Sequence, residues 1–153
     1  MFTDGDIQGV IVKELRYFND KRGWLVELFR QDELPPGFAP EMSYISMTRP
    51  HVARGPHEHV YQTDYFCFLS NFTLYLWDAR ANSRTHMRRM IITDTRDRVF
   101  IVPPGVVHAY KNTSDSDGLV INLPDKLYAG RGKTEKVDEI RYEDDPNTPY
   151  VID

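Results

Sequence analysis

Two stretches decide the fold of this chain, RGPHEH at residues 54–59 and PPGVVHAYKN at residues 103–112. Successive side chains of a strand point to opposite faces, so His57 and His59 are expected on one face and Glu58 on the other. The Pro-Pro-Gly turn is rigid and aims the strand that carries His108. The three histidines are therefore predicted to converge from two strands on one barrel interior.

Length, composition and charge exclude several classes of protein. The chain has 153 residues and 41% hydrophobic residues, which predicts one domain over residues 1–153 with an ordinary core. Its net charge is −4, so we expect no nucleic-acid partner and no attachment to a membrane surface. It has no long apolar run and no signal-peptide pattern, and we expect a cytoplasmic protein.

Short apolar or alternating runs recur between turn-forming clusters. They lie at about residues 7–17, 23–30, 42–48, 64–69, 72–78, 87–93, 98–102, 106–112 and 118–123. Many short strands at such spacing indicate an all-β sandwich or barrel. Only residues 32–34 and 134–140 are candidates for a helical turn. Cys67 lies in an aromatic run and is predicted to be a core residue rather than a reactive thiol.

A small all-β domain must protect the edges of its sheets. We expect the N-terminal run and the apolar strand at residues 65–69 to pair across a partner subunit, which gives a homodimer. The acidic segment at residues 140–146 is predicted to be either an exposed tail or a flap over the barrel mouth.

Three histidines with a nearby carboxylate allow two kinds of chemistry. Converging neutral imidazoles can bind a divalent metal, and the candidate ligands are His57, His59 and His108 with Asp64 or Gln62 as the oxygen ligand. Alternatively, one imidazole acts as a general base near neutral pH. The spacing from Pro103 through His108 to Asn112 matches the second cupin motif, whereas the first motif lacks its usual glutamate.

The flanking segments carry a more specific resemblance. The chain resembles the dTDP-4-dehydrorhamnose 3,5-epimerase family at residues 19–30, 53–57, 103–108 and 140–146. The resemblance implies a cupin-type jelly roll and a homodimer. It also implies epimerisation of a nucleotide-linked 4-keto-6-deoxy sugar, with no metal or other cofactor.

The resemblance also implies a role for individual residues. His57 corresponds to the catalytic base and Asp145 to the aspartate that orients it, while Arg54 is expected to bind the diphosphate of the substrate. We further expect substrate contacts from Gln62 and His108. The base or diphosphate of the nucleotide is expected to contact Arg22 together with Phe29 or Glu27 of the adjoining strand, within one chain or across the dimer.

The chain departs from the family pattern at three positions. The family's lysine is absent from residues 61–64, and no tyrosine lies near residues 121–122, so Tyr128 is the candidate acid. His59 is an additional inward histidine, and the pattern RGxHxH resembles the sugar 3,4-ketoisomerases. We therefore include His59 among the catalytic candidates.

Three hypotheses follow from these patterns. The first is an epimerase of a nucleotide-linked keto sugar, with 3,4-ketoisomerisation as a close alternative. The second is a metal-dependent cupin enzyme that uses the three histidines and a divalent metal. The third is a non-catalytic sugar-binding cupin, which is compatible with the missing lysine and tyrosine. The flanking segments favour the first hypothesis.

Overall fold

The structure, a computed structural model, describes residues 1–153, and its regular secondary structure consists of β-strands and two short 3-10 turns. In chain order the strands are β1 Thr3–Asp4, β2 Ile11–Glu14, β3 Tyr17–Asp20, β4 Gly23–Val26, β5 Tyr44–Thr48, β6 Ala53–Glu58, β7 Asp64–Phe68, β8 Phe72–Asp78, β9 Arg88–Ile92, β10 Arg98–Val102, β11 Val106–Asn112, β12 Gly118–Asn122 and β13 Ile140–Arg141. Two short 3-10 turns lie at Gln31–Glu33 and Arg131–Lys133. No helix is long and apolar enough to cross a membrane.

The strands form two large sheets and one hairpin. The six-stranded sheet has the order β1-β9-β8-β11-β6-β13, and the five-stranded sheet has the order β2-β10-β7-β12-β5. The hairpin is β3-β4. All pairings are antiparallel except that of β1 with β9. The predicted all-β class is confirmed.

An aromatic cluster fills the space between the two sheets. Phe68 contacts Phe72, Phe100 and Tyr110 in edge-on geometry, with ring centroids 5.4–5.5 Å apart. Such rings contribute about 1.5–3 kcal/mol each when fully buried. Cys67 points to the opposite face of β7, is fully buried, and packs under the hairpin segment, as predicted for a core residue.

Pairing between β6 and β11 positions the histidine cluster. His57 lies opposite His108, and a β-bulge follows between His108 and Tyr110. Gly55 allows this close approach because its φ is +82° and a Cβ there would lie 2.6 Å from the carbonyl oxygen of His108. The bulge and the glycine together bring both imidazoles to the same end of the sandwich.

The structure corrects several predictions about individual elements. Residues 7–17 do not form one strand, because a turn at Ile7–Val10 precedes β2. Residues 134–140 contain no helical turn, whereas the turn predicted at residues 32–34 does form, as a 3-10 turn at Gln31–Glu33. The strand β7 lies between β10 and β12, so its hydrogen-bonding edges are occupied and it cannot pair with a partner subunit. The edges of this five-stranded sheet are β2 and β5 instead.

Candidate functional site

Three imidazoles meet at one end of the sandwich, as the strand alternation predicted. His57 lies in β6, His59 directly follows that strand, and His108 lies in β11. One ring nitrogen from each side chain lies within 4.8 Å of the other two. The ring centroids of His57 and His108 are 4.4 Å apart. The three ring nitrogens are therefore close enough for a single small ligand to contact all of them.

Asp64 places a buried carboxylate against two of these rings. Its Oδ2 atom lies 3.3 Å from Nε2 of His59 and 3.4 Å from Nε2 of His108. Its Oδ1 atom accepts hydrogen bonds from the side-chain amides of Gln62 at 2.8 Å and Asn122 at 2.7 Å. The two amides thus fix the orientation of the carboxylate. Gln62 lies at the site as predicted, and its side chain holds Asp64 in place.

The outer nitrogens of the same two rings are held by backbone carbonyls. Nδ1 of His108 donates to the carbonyl oxygen of Val106 at 3.1 Å, and Nδ1 of His59 donates to the carbonyl oxygen of Asp138. The Asp138 carboxylate in turn accepts backbone N–H groups at 2.9 Å from Val60, Tyr61 and Gln62. Because a carbonyl oxygen only accepts, each Nδ1 carries the hydrogen.

His57 has a different environment. Its Nε2 atom lies 3.8 Å from Oε1 of Glu139, whose other oxygen accepts a hydrogen bond from Nε of Arg141 at 2.8 Å. Burial lowers the pKa of His57 to about 2, and the nearby His108, His59 and Arg141 lower it further in the same direction. The imidazole is therefore neutral at neutral pH, which is the form that accepts a proton.

Asp145, predicted to orient His57, does not lie beside it. The chain turns after β13, with the N–H of Asp145 donating to the carbonyl of Tyr142, and this turn carries the aspartate into solvent. There its Oδ1 accepts the N–H of Asn147 at 2.9 Å. Within this chain the carboxylate that faces His57 is Glu139 instead, and its signal in the sequence was its place directly before the matched segment 140–146.

A cavity of about 470 Å³ opens in front of the histidines. The predicted residues on its wall are Arg54, His57, His59, Gln62 and Tyr128. His108 lies behind them and is 1% exposed. The segment at residues 140–146 contributes to this wall through β13, which pairs with β6, so its beginning is a flap rather than a free tail.

Arg54 brings an unneutralised positive charge to the cavity. Its Nε atom donates to Oγ1 of Thr48 at 2.9 Å and a terminal nitrogen donates to the carbonyl of Met47 at 2.8 Å. No carboxylate forms an ion pair with it, in contrast to Arg141 on the same wall. The guanidinium is therefore oriented by neutral acceptors and keeps its charge available to an anionic ligand.

The three residues predicted to contact the nucleotide do not reach this cavity within one chain. Arg22 lies at the exposed hairpin turn and pairs with Asp20 at 2.6 Å. Glu27 and Phe29 border a separate groove beside Lys13. Their predicted contact with a nucleotide requires a second subunit and stays a prediction.

Tyr44 is a site residue that sequence reasoning missed. It lies in β5 opposite Asn122 of β12, and its hydroxyl accepts a hydrogen bond from the Asn122 amide at 3.0 Å. Burial of the phenol oxygen and the nearby Asp64 raise the pKa of Tyr44, so the hydroxyl stays protonated. The strand at residues 42–48 was predicted, but its neighbour in the sheet was not, so the tyrosine could not be placed.

Comparison with known proteins gives consistent results. The family model described as dTDP-4-dehydrorhamnose 3,5-epimerase matches residues 4–146. The probable low-salt glycan biosynthesis epimerase Agl13 of Haloferax volcanii is 37% identical over 127 residues, covering 80% of this chain and 81% of that protein.

Two solved structures share the fold. The dTDP sugar isomerase of Desulfovibrio desulfuricans G20 superposes with a TM-score of 0.76 at 23% identity, covering 92% of this chain and 87% of that one. The epimerase RmlC of Legionella pneumophila, in complex with dTDP-4-keto-L-rhamnose, superposes with a TM-score of 0.73 at 19% identity, covering 90% and 74%. The predicted cupin-type jelly roll is confirmed.

Proposed function

Because this chain belongs to the dTDP-4-dehydrorhamnose 3,5-epimerase family, we propose that it epimerises a nucleotide-linked 4-keto-6-deoxy sugar through proton removal by His57. Membership makes the protein an epimerase-type enzyme, and it supports a family reaction that needs no cofactor. The observation that carries the proposal is a neutral imidazole, His57, on the wall of a cavity of about 470 Å³. This volume lies in the range typical of small-molecule sites.

The chemistry follows from the ketone of the substrate. A carbonyl at C4 acidifies the protons on C3 and C5, and the imidazole of His57 removes one of them to leave an enolate. The imidazolium formed then lies beside the Glu139 carboxylate, which stabilises its charge. Return of a proton to the opposite face of the same carbon completes the inversion. Glu139 thus takes the supporting role that was predicted for Asp145.

Two phenols are placed to return the proton. Tyr128 lines the cavity from the loop after β12, which supports the role predicted for it, and Tyr44 lines the same cavity from β5. A phenol whose pKa is raised remains protonated at neutral pH and can act as an acid, and this applies to Tyr44. We propose that one of these two hydroxyls is the proton donor.

The anionic part of the substrate is proposed to lie against Arg54. Its guanidinium has neutral acceptors on the protein side and is free of carboxylates on the cavity side, an arrangement suited to a diphosphate. The RmlC structure from Legionella contains a dTDP-linked sugar, which supports a substrate of this class. In a homodimer, Arg22, Glu27 and Phe29 of the second subunit would extend the site toward the nucleotide.

Movement of the carbonyl between C4 and C3 is a second candidate reaction. It begins with the same proton removal at C3 and is favoured by one observation, the ring of His59 at 5.5 Å from that of His57. The products differ, because an epimerase leaves the ketone at C4 and a ketoisomerase moves it to C3. Analysis of the product by NMR separates the two reactions.

A substitution of the base tests the proposal directly. His57→Asn removes the proton acceptor and should lower kcat by about 100- to 10,000-fold, the usual contribution of a general base. His51→Asn is a matched control, because His51 is exposed and pairs only with Asp115. Activity of the His57→Asn enzyme equal to that of the control would contradict the assignment of the base.

A further inference from the structure

Two buried atoms of the site lack a hydrogen-bond partner, and they face each other. They are Oδ2 of Asp64 and Nε2 of His108, and both residues are 1% exposed. Nδ1 of His108 already donates to a carbonyl, so Nε2 of the neutral ring presents a lone pair. Nδ1 of His59 likewise donates to the carbonyl of Asp138, so its Nε2 is the nitrogen that faces Asp64. Two imidazole nitrogens and one carboxylate oxygen therefore converge, and neither a lysine nor an arginine forms an ion pair with Asp64.

The two separations that involve Asp64 match those between metal ligands. Oδ2 of Asp64 lies 3.3 Å from Nε2 of His59 and 3.4 Å from Nε2 of His108. Two ligand atoms bound at about 2.05 Å to a tetrahedral ion lie about 3.3–3.4 Å apart. A hydrogen bond from a protonated imidazole to the Asp64 carboxylate would be shorter, at about 2.7–2.9 Å. The spacing thus fits an ion between the atoms better than direct contact.

We propose that His59, His108 and Asp64 bind one divalent transition-metal ion of the zinc type. Two imidazoles and one carboxylate form a ligand set typical of zinc enzymes, which keep one position for water or substrate. The family reaction needs no cofactor, so the proposed ion binding is specific to the ligand residues of this particular chain.

The surroundings of the three ligands support a site built for a cation. Each ligating imidazole donates its other N–H to a backbone carbonyl, which fixes the tautomer and the ring orientation. Oδ1 of Asp64, the carboxylate oxygen that does not face the histidines, accepts hydrogen bonds from the amides of Gln62 and Asn122. Outer contacts of this kind are the usual second layer of a metal site. The ligands are thus preorganised before any ion binds.

His57 is outside this ligand set. Its Nε2 atom lies near the Glu139 carboxylate, and the ring remains available as the base. If the proposed function is correct, a cation held by His59, His108 and Asp64 would supply electrostatic stabilisation to the enolate that forms when His57 removes the proton next to the ketone.

Metal analysis tests the site independently of turnover. The protein is stripped with a chelator, incubated with excess Zn²⁺, passed through a desalting column and analysed by mass spectrometry of its metal content. The wild-type protein should retain about one Zn²⁺ per chain, and Asp64→Asn and His59→Ala should each lose at least about tenfold in affinity. His57→Asn and Glu143→Gln, which change the same cavity without changing a ligand, should retain the ion.

Cobalt binding is measured on the wild-type protein, so this part of the test does not depend on whether the variants fold. Co²⁺ bound to the wild-type protein should give the intense visible absorption of a four-coordinate site, and Zn²⁺ should displace it. Three results would overturn the proposal: wild-type protein without stoichiometric metal, equal retention of metal in Asp64→Asn, or loss of the ion in His57→Asn. A loaded protein without epimerase activity would count against the proposed function and leave the metal site established.

Discussion

The tautomers of three histidines determine the chemistry of this site. His59 and His108 each have Nδ1 bound to a carbonyl oxygen, so their Nε2 atoms point at the buried Asp64. His57 has no such backbone partner and lies at the cavity wall near Glu139. Residues of one type are thus divided between two tasks by their hydrogen-bond partners: two direct Nε2 toward Asp64, and one lies at the cavity wall, where it can accept a proton.

The depressed pKa of His57 predicts an unusual pH profile. A general base works only when unprotonated, so activity falls as the pH drops through its pKa. An ordinary histidine with a pKa near 6.5 would cost about tenfold in kcat/KM at pH 5.5. Burial lowers the pKa of His57 to about 2, so we expect no acid loss from this group between pH 8 and 5.5.

The measurement is kcat/KM across this range, with circular dichroism at each pH to verify the fold. A tenfold decline with an apparent pKa near 6.5 in folded protein would show that His57 titrates normally or is not the base.

The residues of the site could be predicted from the sequence only in part. Strand alternation placed His57 and His59 together, and the Pro-Pro-Gly turn placed His108. Asp138 and Glu139 were missed because residues 134–140 were interpreted as a helical turn, whereas they form no helix and bring both residues to the cavity wall. Asp145 was predicted as the carboxylate partner of His57 because the resemblance gives only the order of residues along the chain. A turn after β13 places the Asp145 side chain in solvent, away from His57.

Among the elements, the pair β6–β11 matters most to the site. Its two strands place His57 opposite His108, and their close approach depends on Gly55 at the start of the histidine motif. The sequence predicted where most strands lie, since alternation is a local property. It did not predict the order of strands in each sheet, because pairing joins residues far apart in the chain, as β6 and β11 are.

Gly55→Ala should destabilise the protein and disturb the site. The new Cβ would meet the His108 carbonyl oxygen at 2.6 Å and Nδ1 of His57 at 3.1 Å, in a backbone with φ +82°. We expect a loss of about 3 kcal/mol in the free energy of unfolding, from strain and forced separation of the strands. Urea denaturation measures this loss.

The matched control is Gly37→Ala. Gly37 has nearly the same φ of +81°, but no atom lies within 4 Å of a Cβ at that position. The control should cost only the backbone strain of about 1 kcal/mol. Equal losses in the two variants would show that the contact with β11 is unimportant.

At the scale of the whole molecule, the hairpin β3–β4 carries an apolar surface that this chain alone does not cover. Phe18, Trp24 and Leu25 are 57%, 63% and 59% exposed. Scattered apolar residues are ordinary on a surface, but three on one short hairpin favour contact with another protein surface. The expected homodimer therefore remains a prediction, with the hairpin in place of β7 as its contact.

Light scattering during size-exclusion chromatography measures the oligomeric state. We expect twice the chain mass of 17.9 kDa for the wild type. The double substitution Trp24→Lys and Leu25→Lys should yield a monomer, because it places charge in the apolar contact. Val151→Lys, at an exposed apolar residue near the C-terminus, should leave the mass unchanged. A monomeric wild type would contradict the prediction of a dimer.

Proton exchange at the substrate tests the central claim most directly, because epimerisation through an enolate must exchange a carbon-bound proton with solvent. The protein is incubated with dTDP-4-keto-6-deoxyglucose in deuterated water, and the recovered sugar is analysed by mass spectrometry and NMR. We expect deuterium at C3, at C5 or at both, with the ketone still at C4, and no incorporation with His57→Asn. Undeuterated sugar after prolonged incubation with folded, metal-loaded wild-type protein would contradict the proposed reaction on this substrate.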